Sequence, residues 1–108
     1  TSSREGIHER YRDLPGGLSG PPLRERANDV VRVAYRATNG TIPIIGVGGV
    51  SSGGDAIERL RSGATLVQIY TSLIYGGPAL PGRILRDMSD AADRDGWESI
   101  SEIIGLDA

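Results

Sequence analysis

The first long apolar pattern in the chain is helical. Between residues 24 and 38, small and branched apolar residues recur at intervals of three and four, the spacing that lines one face of an α-helix. The Asn39-Gly40 pair that follows is typical of a helix C-terminus. The pattern therefore predicts an amphipathic helix over residues 24–38. Its inward positions are Ala27, Val30, Val31 and Ala34.

Two shorter runs, at 42–47 and 66–70, are almost continuously apolar and do not alternate with polar residues. Such runs are typical of strands in a parallel sheet, which are buried on both faces. We therefore expect two parallel strands, each covered on both faces. Gln68 interrupts the second run, and we expect it to point into a barrel interior or to bond a neighbouring strand.

Helical spacing returns after each strand. Ser52 can cap a helix, Asp55 three residues later completes a capping-box pattern, and Gly63 ends the helix. A last helix is expected to start near Leu80 and to end at Gly96. The inward positions are Ala56, Ile57 and Leu60 in the earlier helix, and Ile84, Leu85, Met88, Ala91 and Ala92 in the later one.

The ends of the chain and the order of elements complete the outline. Residues 1–15 are expected to form a polar loop, 15–23 a turn rich in glycine and proline, and 97–105 a short helical turn. The order helix, strand, helix, strand, helix contains a βαβ crossover. Because two strands leave two open edges, we expect the chain to need the remainder of a larger sheet or to self-associate through those edges.

Composition and charge remove several classes of function. The chain has no cysteine, which excludes thiolate metal sites, and all twelve basic residues are arginines. The net charge of −2 gives no basic footprint for nucleic acid, and no apolar run is long enough for a membrane span. His8 is the single histidine and is expected at the surface, and the acidic run on the last helix is expected to be a solvated face. No metal site is predicted, and the chain is expected to be soluble.

Three turns rich in glycine and hydroxyl residues carry the candidate chemistry. They are 17–20, Gly48-Gly49 and 70–72, and the last two directly follow the two strands. Because the carboxyl ends of parallel strands share one edge, we expect these turns to lie side by side, with 17–20 joining them if a further strand precedes it. Glycine lets backbone N–H groups approach an anion closely, and hydroxyls add donors. In (β/α)8 barrels a phosphate site commonly forms after strands 7 and 8 with a short extra helix, which 71–76 would supply.

Each turn taken alone also has a plainer interpretation as an ordinary strand-to-helix connection. The glycine spacing is not that of a dinucleotide fingerprint, and the chain has no Gly-Lys-Ser/Thr of a P-loop. The pattern alone thus leaves a phosphate site and a simple turn cluster both open.

Three stretches resemble the class 2 dihydroorotate dehydrogenases, which are quinone-dependent and contain FMN. The longest, residues 42–78, reads IPIIGVGGVSSGGDAIERLRSGATLVQIYTSLIYGGP. The upstream turn and helix, GGLSGPPLRERA at 16–27, and the tail, SISEIIGLDA at 99–108, resemble the same family. The resemblance covers almost the whole chain from residue 15 onward.

The resemblance implies that residues 1–108 are the C-terminal portion of a flavin-binding (β/α)8 barrel domain. It implies contacts with FMN by Gly20, which closes the GLSG turn, by Gly49, and by Tyr70 and Thr71. The supporting neighbours would be Ser19 and Gly48. Phosphate capture by this chain then orients the cofactor.

The resemblance also implies what this chain does not supply. In the complete enzyme, dihydroorotate is oxidised to orotate for pyrimidine biosynthesis, and electrons pass through FMN to a quinone. The catalytic base, a lysine near the flavin, the substrate ligands and the helices that hold the enzyme at the cytoplasmic membrane would all lie upstream. The chain alone is therefore expected to be inactive and to contain no catalytic residue.

Two alternatives remain. The chain could be a stand-alone partial barrel that binds phosphate compounds, or merely self-assembles, without redox chemistry. It could also belong to another phosphate-binding barrel enzyme, although the VSSG and YTSL stretches favour the dehydrogenase.

Overall fold

The computed structural model describes residues 6–108. Four α-helices and two strands are present in this part of the chain, joined by short loops and three 3₁₀ turns. In chain order the helices and strands are α1 (Arg24–Ala37), β1 (Ile45–Val47), α2 (Gly53–Arg61), β2 (Leu66–Gln68), α3 (Thr71–Gly76) and α4 (Leu80–Asp95). The 3₁₀ turns are Glu9–Tyr11, Pro21–Leu23 and Ile100–Ile103.

The helix ends follow the residues that predicted them. After α1, Asn39 adopts a left-handed φ of 51° and the Gly40 N–H donates to the Tyr35 carbonyl. At the start of α2, the Asp55 N–H donates to the Ser52 hydroxyl oxygen over 3.1 Å, as expected of the cap. Gly96 ends α4 in the left-handed conformation. The predicted boundaries are therefore confirmed to within one or two residues.

The sheet is a parallel pair, as predicted, with α2 as the crossover between its strands. Ile45 pairs with Leu66, and the register continues to Val47 opposite Gln68. Each strand has only three residues and is shorter than the predicted runs, because residues 42–44 before β1 and residues 69–70 after β2 lie outside the paired strands.

The expectation that both strand faces are buried is wrong for this chain. Gly46 is buried on the α2 side, but Ile45, Val47 and Leu66 are 59%, 50% and 61% exposed. The reason is that successive strand residues point to opposite faces, and only one face is covered by helices of the described chain. An apolar strand face is thus left open.

The core consists of two neighbouring clusters on the covered side of the sheet. Ala56 and Leu60 of α2 and Ile84 of α4 are buried as predicted. Val30 and Leu85, assigned to inward faces, are instead 59% and 65% exposed. The wrong assignment of Val30 has a physical reason, since it borders the open strand face; nothing in the structure explains Leu85. The cluster members are Val31, Leu60, Ala64 and Ile103 in the first, and Val50, Ala56, Leu80 and Ile84 in the second.

The two ends of the described chain contain more structure than a loop. Glu9–Tyr11 forms a 3₁₀ turn, so the prediction of a loop is wrong there, while residues 1–5 lie outside the described part. The turn is capped by His8, whose exposed ring accepts a hydrogen bond from the Arg10 N–H over 3.2 Å. The predicted turn within 97–105 is confirmed as Ile100–Ile103, with a capping box between Ser99 and Glu102. Among residues 6–108, no helix is both long and apolar enough to cross a membrane.

Candidate functional site

The three predicted turns meet at one pocket at the carboxyl ends of β1 and β2. Its volume is about 210 Å³, below the roughly 300 Å³ at which pockets for whole small molecules begin. The space therefore suits one end of a ligand rather than a complete flavin. All six predicted cofactor residues line it: Ser19, Gly20, Gly48, Gly49, Tyr70 and Thr71.

The Gly48-Gly49 turn needs glycine for two separate reasons. Both residues have left-handed φ, 103° and 73°, which residues with a Cβ rarely adopt. A Cβ on Gly49 would in addition lie 2.5 Å from the Arg24 backbone nitrogen and 2.6 Å from the Arg24 Cα. Packing is therefore one reason for the glycine pair, whether the turn binds phosphate or is a simple connection, because the turn lies directly against the first residue of α1.

The 17–20 turn closes the pocket from the α1 side. Gly20 is buried and has a φ of 87°, and it directs the chain into the Pro21–Leu23 turn that precedes α1. A Cβ on Gly20 would lie 3.8 Å from the Thr71 methyl group. A side chain on Gly20 would therefore contact the third turn across the pocket, and glycine leaves that space open.

The 70–72 turn presents donors that have no partner within the described part of the protein. Tyr70 precedes α3 without making a side-chain cap, so the backbone N–H groups of Thr71 and Ser72 at the start of the helix remain unpaired there. The Ser72 hydroxyl is buried and has no hydrogen-bond partner among residues 6–108. The Tyr70 side chain is 77% exposed. These are donors that an anionic group in the pocket would satisfy.

Asp55 fixes the segment that follows the double glycine. Its carboxylate accepts hydrogen bonds from the Ser51 N–H at 3.0 Å, the Ser51 hydroxyl at 3.1 Å and Arg24 Nη1 at 3.1 Å. The reciprocal half of the predicted capping box is therefore wrong, because the carboxylate binds Ser51 and not the N–H of Ser52. Partial burial raises the pKa of Asp55, but the bonds from Ser51, Arg24 and Ser52 outweigh burial and leave the pKa below its ordinary value.

Arg59 lies behind the same turn and was not singled out from the sequence. It is fully buried, with Nε donating to the Asn28 side-chain oxygen and Nη2 donating to the Gly48 carbonyl. Burial lowers the pKa of its guanidinium, and the charges of Asp55 and Glu58 oppose that effect. A sequence signal existed, since Arg59 stands between Ile57 and Leu60 on the inward side of α2.

We expect the free energy of unfolding of the Asp55→Asn variant to fall less at acid pH than that of the wild type. The folded pKa lies below the unfolded value of about 3.9, so the stabilisation is present above that value and is lost as pH falls through the folded pKa. Losing the charge should lower the free energy of unfolding at pH 7 by about 1–3 kcal/mol. Urea unfolding between pH 2 and 7 measures both effects. The exposed Asp90→Asn is the control, and parallel pH slopes for wild type and Asp55→Asn would refute the prediction.

Comparison with known proteins places the chain in a family. The model of the family described as dihydroorotate dehydrogenase matches residues 3–91. The chain belongs to the dihydroorotate dehydrogenase family. It is 46% identical over its whole length to a quinone-dependent dihydroorotate dehydrogenase of Deinococcus deserti, and 53% identical over 85% of its length to a mitochondrial one of Oryza sativa.

Solved structures of dihydroorotate dehydrogenase have the same fold over this segment. The ligand-free enzyme of Eimeria tenella superimposes with a TM-score of 0.92 at 37% identity, over 99% of this chain and 30% of the enzyme. The predicted α/β class, as part of a (β/α)8 barrel, and the resemblance to the quinone-dependent class are thereby confirmed. The chain spans 30% of the Deinococcus relative and 20% of the Oryza one.

Proposed function

We propose that this chain forms the part of a quinone-dependent dihydroorotate dehydrogenase that holds the phosphate of FMN. The observation that carries the proposal is the convergence of the six predicted residues on one pocket at the carboxyl ends of two parallel strands. Barrel enzymes commonly bind phosphate at this place. When bound, FMN would supply the redox chemistry that converts dihydroorotate to orotate and reduces a quinone.

The pocket fits a phosphate group in its donors and its size. Unpaired backbone N–H groups at the start of α3 and the orphaned Ser72 hydroxyl need acceptors, which phosphate oxygens supply. No charged side chain is among the described residues that line the pocket. We therefore propose that backbone amides and hydroxyls, rather than an arginine, bind the phosphate, with Ser19, Thr71 and Ser72 providing the hydroxyls.

This chain's role is to bind and orient the cofactor. Gly20, Gly48 and Gly49 would let the backbone approach the phosphate, and Tyr70, which lines the pocket and is largely exposed, is available to contact the rest of the cofactor. Fixing one end of the cofactor positions its reactive end, and positioning is a large part of enzymatic rate enhancement. No catalytic residue is assigned here, and we propose that the base and the ligands of dihydroorotate belong to the remainder of the barrel. Association of the complete enzyme with the cytoplasmic membrane is likewise a proposal.

A chimera tests the proposal. In the Deinococcus deserti relative, the segment that matches this chain is replaced by the 108 residues, and flavin content and dihydroorotate–quinone activity are measured. We expect one FMN per chimera and activity within about tenfold of the parent. Thr71→Val, which removes a hydroxyl from the pocket, should weaken FMN binding by about tenfold or more. Thr65→Val, outside the pocket, is the matched control.

A folded chimera that binds no flavin would contradict the proposal. It would favour the second candidate, a self-assembling partial barrel without redox chemistry. The observation in favour of that candidate is the open apolar face formed by Ile45, Val47 and Leu66, which needs a cover. The remainder of a barrel covers this face equally well.

A further inference from the structure

Arg59 is held rigidly behind the double-glycine turn. Its side chain is fully buried, and its aliphatic part lies over Gly46 so closely that a Cβ there would be 2.5 Å from Arg59 Cγ and 2.7 Å from Cδ. Its Cγ and Cδ therefore pack directly against the β1 backbone, and this packing restrains the aliphatic stem that carries the guanidinium.

The guanidinium of Arg59 connects α1 to the turn. Nε donates to Asn28, which is 1% exposed, and Nη2 donates to the Gly48 carbonyl. Nη1 is buried and has no partner among residues 6–108. A buried charge with an unsatisfied donor is unfavourable for stability, and a well-packed apolar residue would often serve the core as well. A role outside the core would account for it.

The bond to Gly48 determines where the next N–H points. The peptide that joins Gly48 to Gly49 is trans, as are all peptides of the described residues. In a trans peptide the C=O and the following N–H point in opposite directions. With the Gly48 carbonyl directed at Arg59, the Gly49 N–H points away from Arg59, which does not line the pocket, while Gly48 and Gly49 do.

A glycine pair needs such a restraint. Glycine adopts left-handed and right-handed φ with similar ease, so the peptide between two glycines can rotate at little cost. A charged donor on the carbonyl opposes that rotation, and it also polarises the peptide, which strengthens its N–H as a donor.

We propose that Arg59 is a positioning residue for the bound cofactor: it orients the Gly48–Gly49 peptide so that the Gly49 N–H can donate to the phosphate. This inference rests on the proposed function. It assigns Arg59 no contact with the cofactor and no part in the redox step.

The test compares FMN with riboflavin, which lacks the phosphate, in the full-length chimera. The ratio of the two dissociation constants isolates the phosphate contribution, because a general loss of stability weakens both ligands alike. Arg59→Met should reduce the preference for FMN by about tenfold or more, and leave riboflavin affinity within about threefold. Arg59→Lys keeps a charged donor and should restore most of the preference. Arg86→Met, an exposed arginine of α4, should change neither.

The outcomes separate the two proposals. A wild-type chimera that binds FMN and riboflavin equally would overturn the phosphate site itself, and this inference with it. A wild type that prefers FMN, together with an Arg59→Met variant that keeps the preference, would overturn only the role of Arg59. Should Arg59→Met not fold, as judged by circular dichroism, Arg59→Lys decides. Its ammonium carries all of its N–H groups on a single nitrogen, which should still bond the Gly48 carbonyl and keep most of the preference, and equal binding of both ligands by that folded variant would refute the inference.

Discussion

Gly49→Ala is expected to cost the chain about 3 kcal/mol of unfolding free energy and, in the chimera, most of its preference for FMN over riboflavin. The new Cβ would overlap the backbone of Arg24, which cannot move aside as a flexible side chain could. Alanine is also unfavourable at a φ of 73°. Both effects push the turn away from the first residue of α1, and the N–H groups of the turn move with it.

Gly54→Ala is the matched control for Gly49→Ala. Gly54 lies in the first turn of α2 and is exposed, and a new Cβ there would lie 3.7 Å from the Ser52 hydroxyl oxygen, an ordinary contact. Alanine there should be neutral or stabilising by up to about 1 kcal/mol. Urea unfolding and the two flavin affinities measure both variants. A Gly49→Ala variant as stable as Gly54→Ala would show that α1 can retreat from the turn without penalty.

The convergence of the site was predictable because it follows from sheet geometry. Two apolar runs joined by a helix imply parallel strands, and parallel strands bring their carboxyl ends to one edge. Because the turns at Gly48-Gly49 and at 70–72 follow these two strands, parallel pairing predicts that both turns lie at that edge. Helix ends were predictable for a similar reason, since Ser52 and Gly96 act through their own local backbone chemistry.

Features that depend on distant parts of the chain were not predictable from the pattern. The exposure of Ile45 and Leu66 depends on which sheet face the helices cover, and an apolar run carries no information on that. The partners of Arg59 come from α1 and from the turn, and no local rule joins residue 59 to residues 28 and 48. The residue pattern also pointed to a site for an anion but not to a flavin. The assignment of FMN rests on the resemblance to the family.

The C-terminal tail contains a position that, unlike Gly49, should matter for the stability of the fold and not for ligand binding in the pocket. Ile103 is fully buried and packs in one cluster with Val31 and Leu60, so it joins α1 to α2. The tail is tied to the C-terminal end of α2 as well, through the Gly105 N–H, which donates to the Leu60 carbonyl at 3.0 Å. The candidate pocket lies beyond the other end of this helix, which is roughly 14 Å long for its nine residues.

We therefore expect Ile103→Ala to lower the free energy of unfolding by about 2–5 kcal/mol, because it leaves a cavity between α1 and α2. The ratio of FMN to riboflavin affinity in the folded chimera should stay within about twofold of wild type, since the described residues that line the pocket include none from the tail. Leu106→Ala, at a residue 60% exposed, is the control and should change stability by less than about 0.5 kcal/mol. Chemical unfolding and flavin titration measure the pair. A loss of FMN preference in Ile103→Ala would mean that the pocket depends on how tightly α1 and α2 pack along their whole length, and the division between a stability end and a binding end of α2 would be wrong.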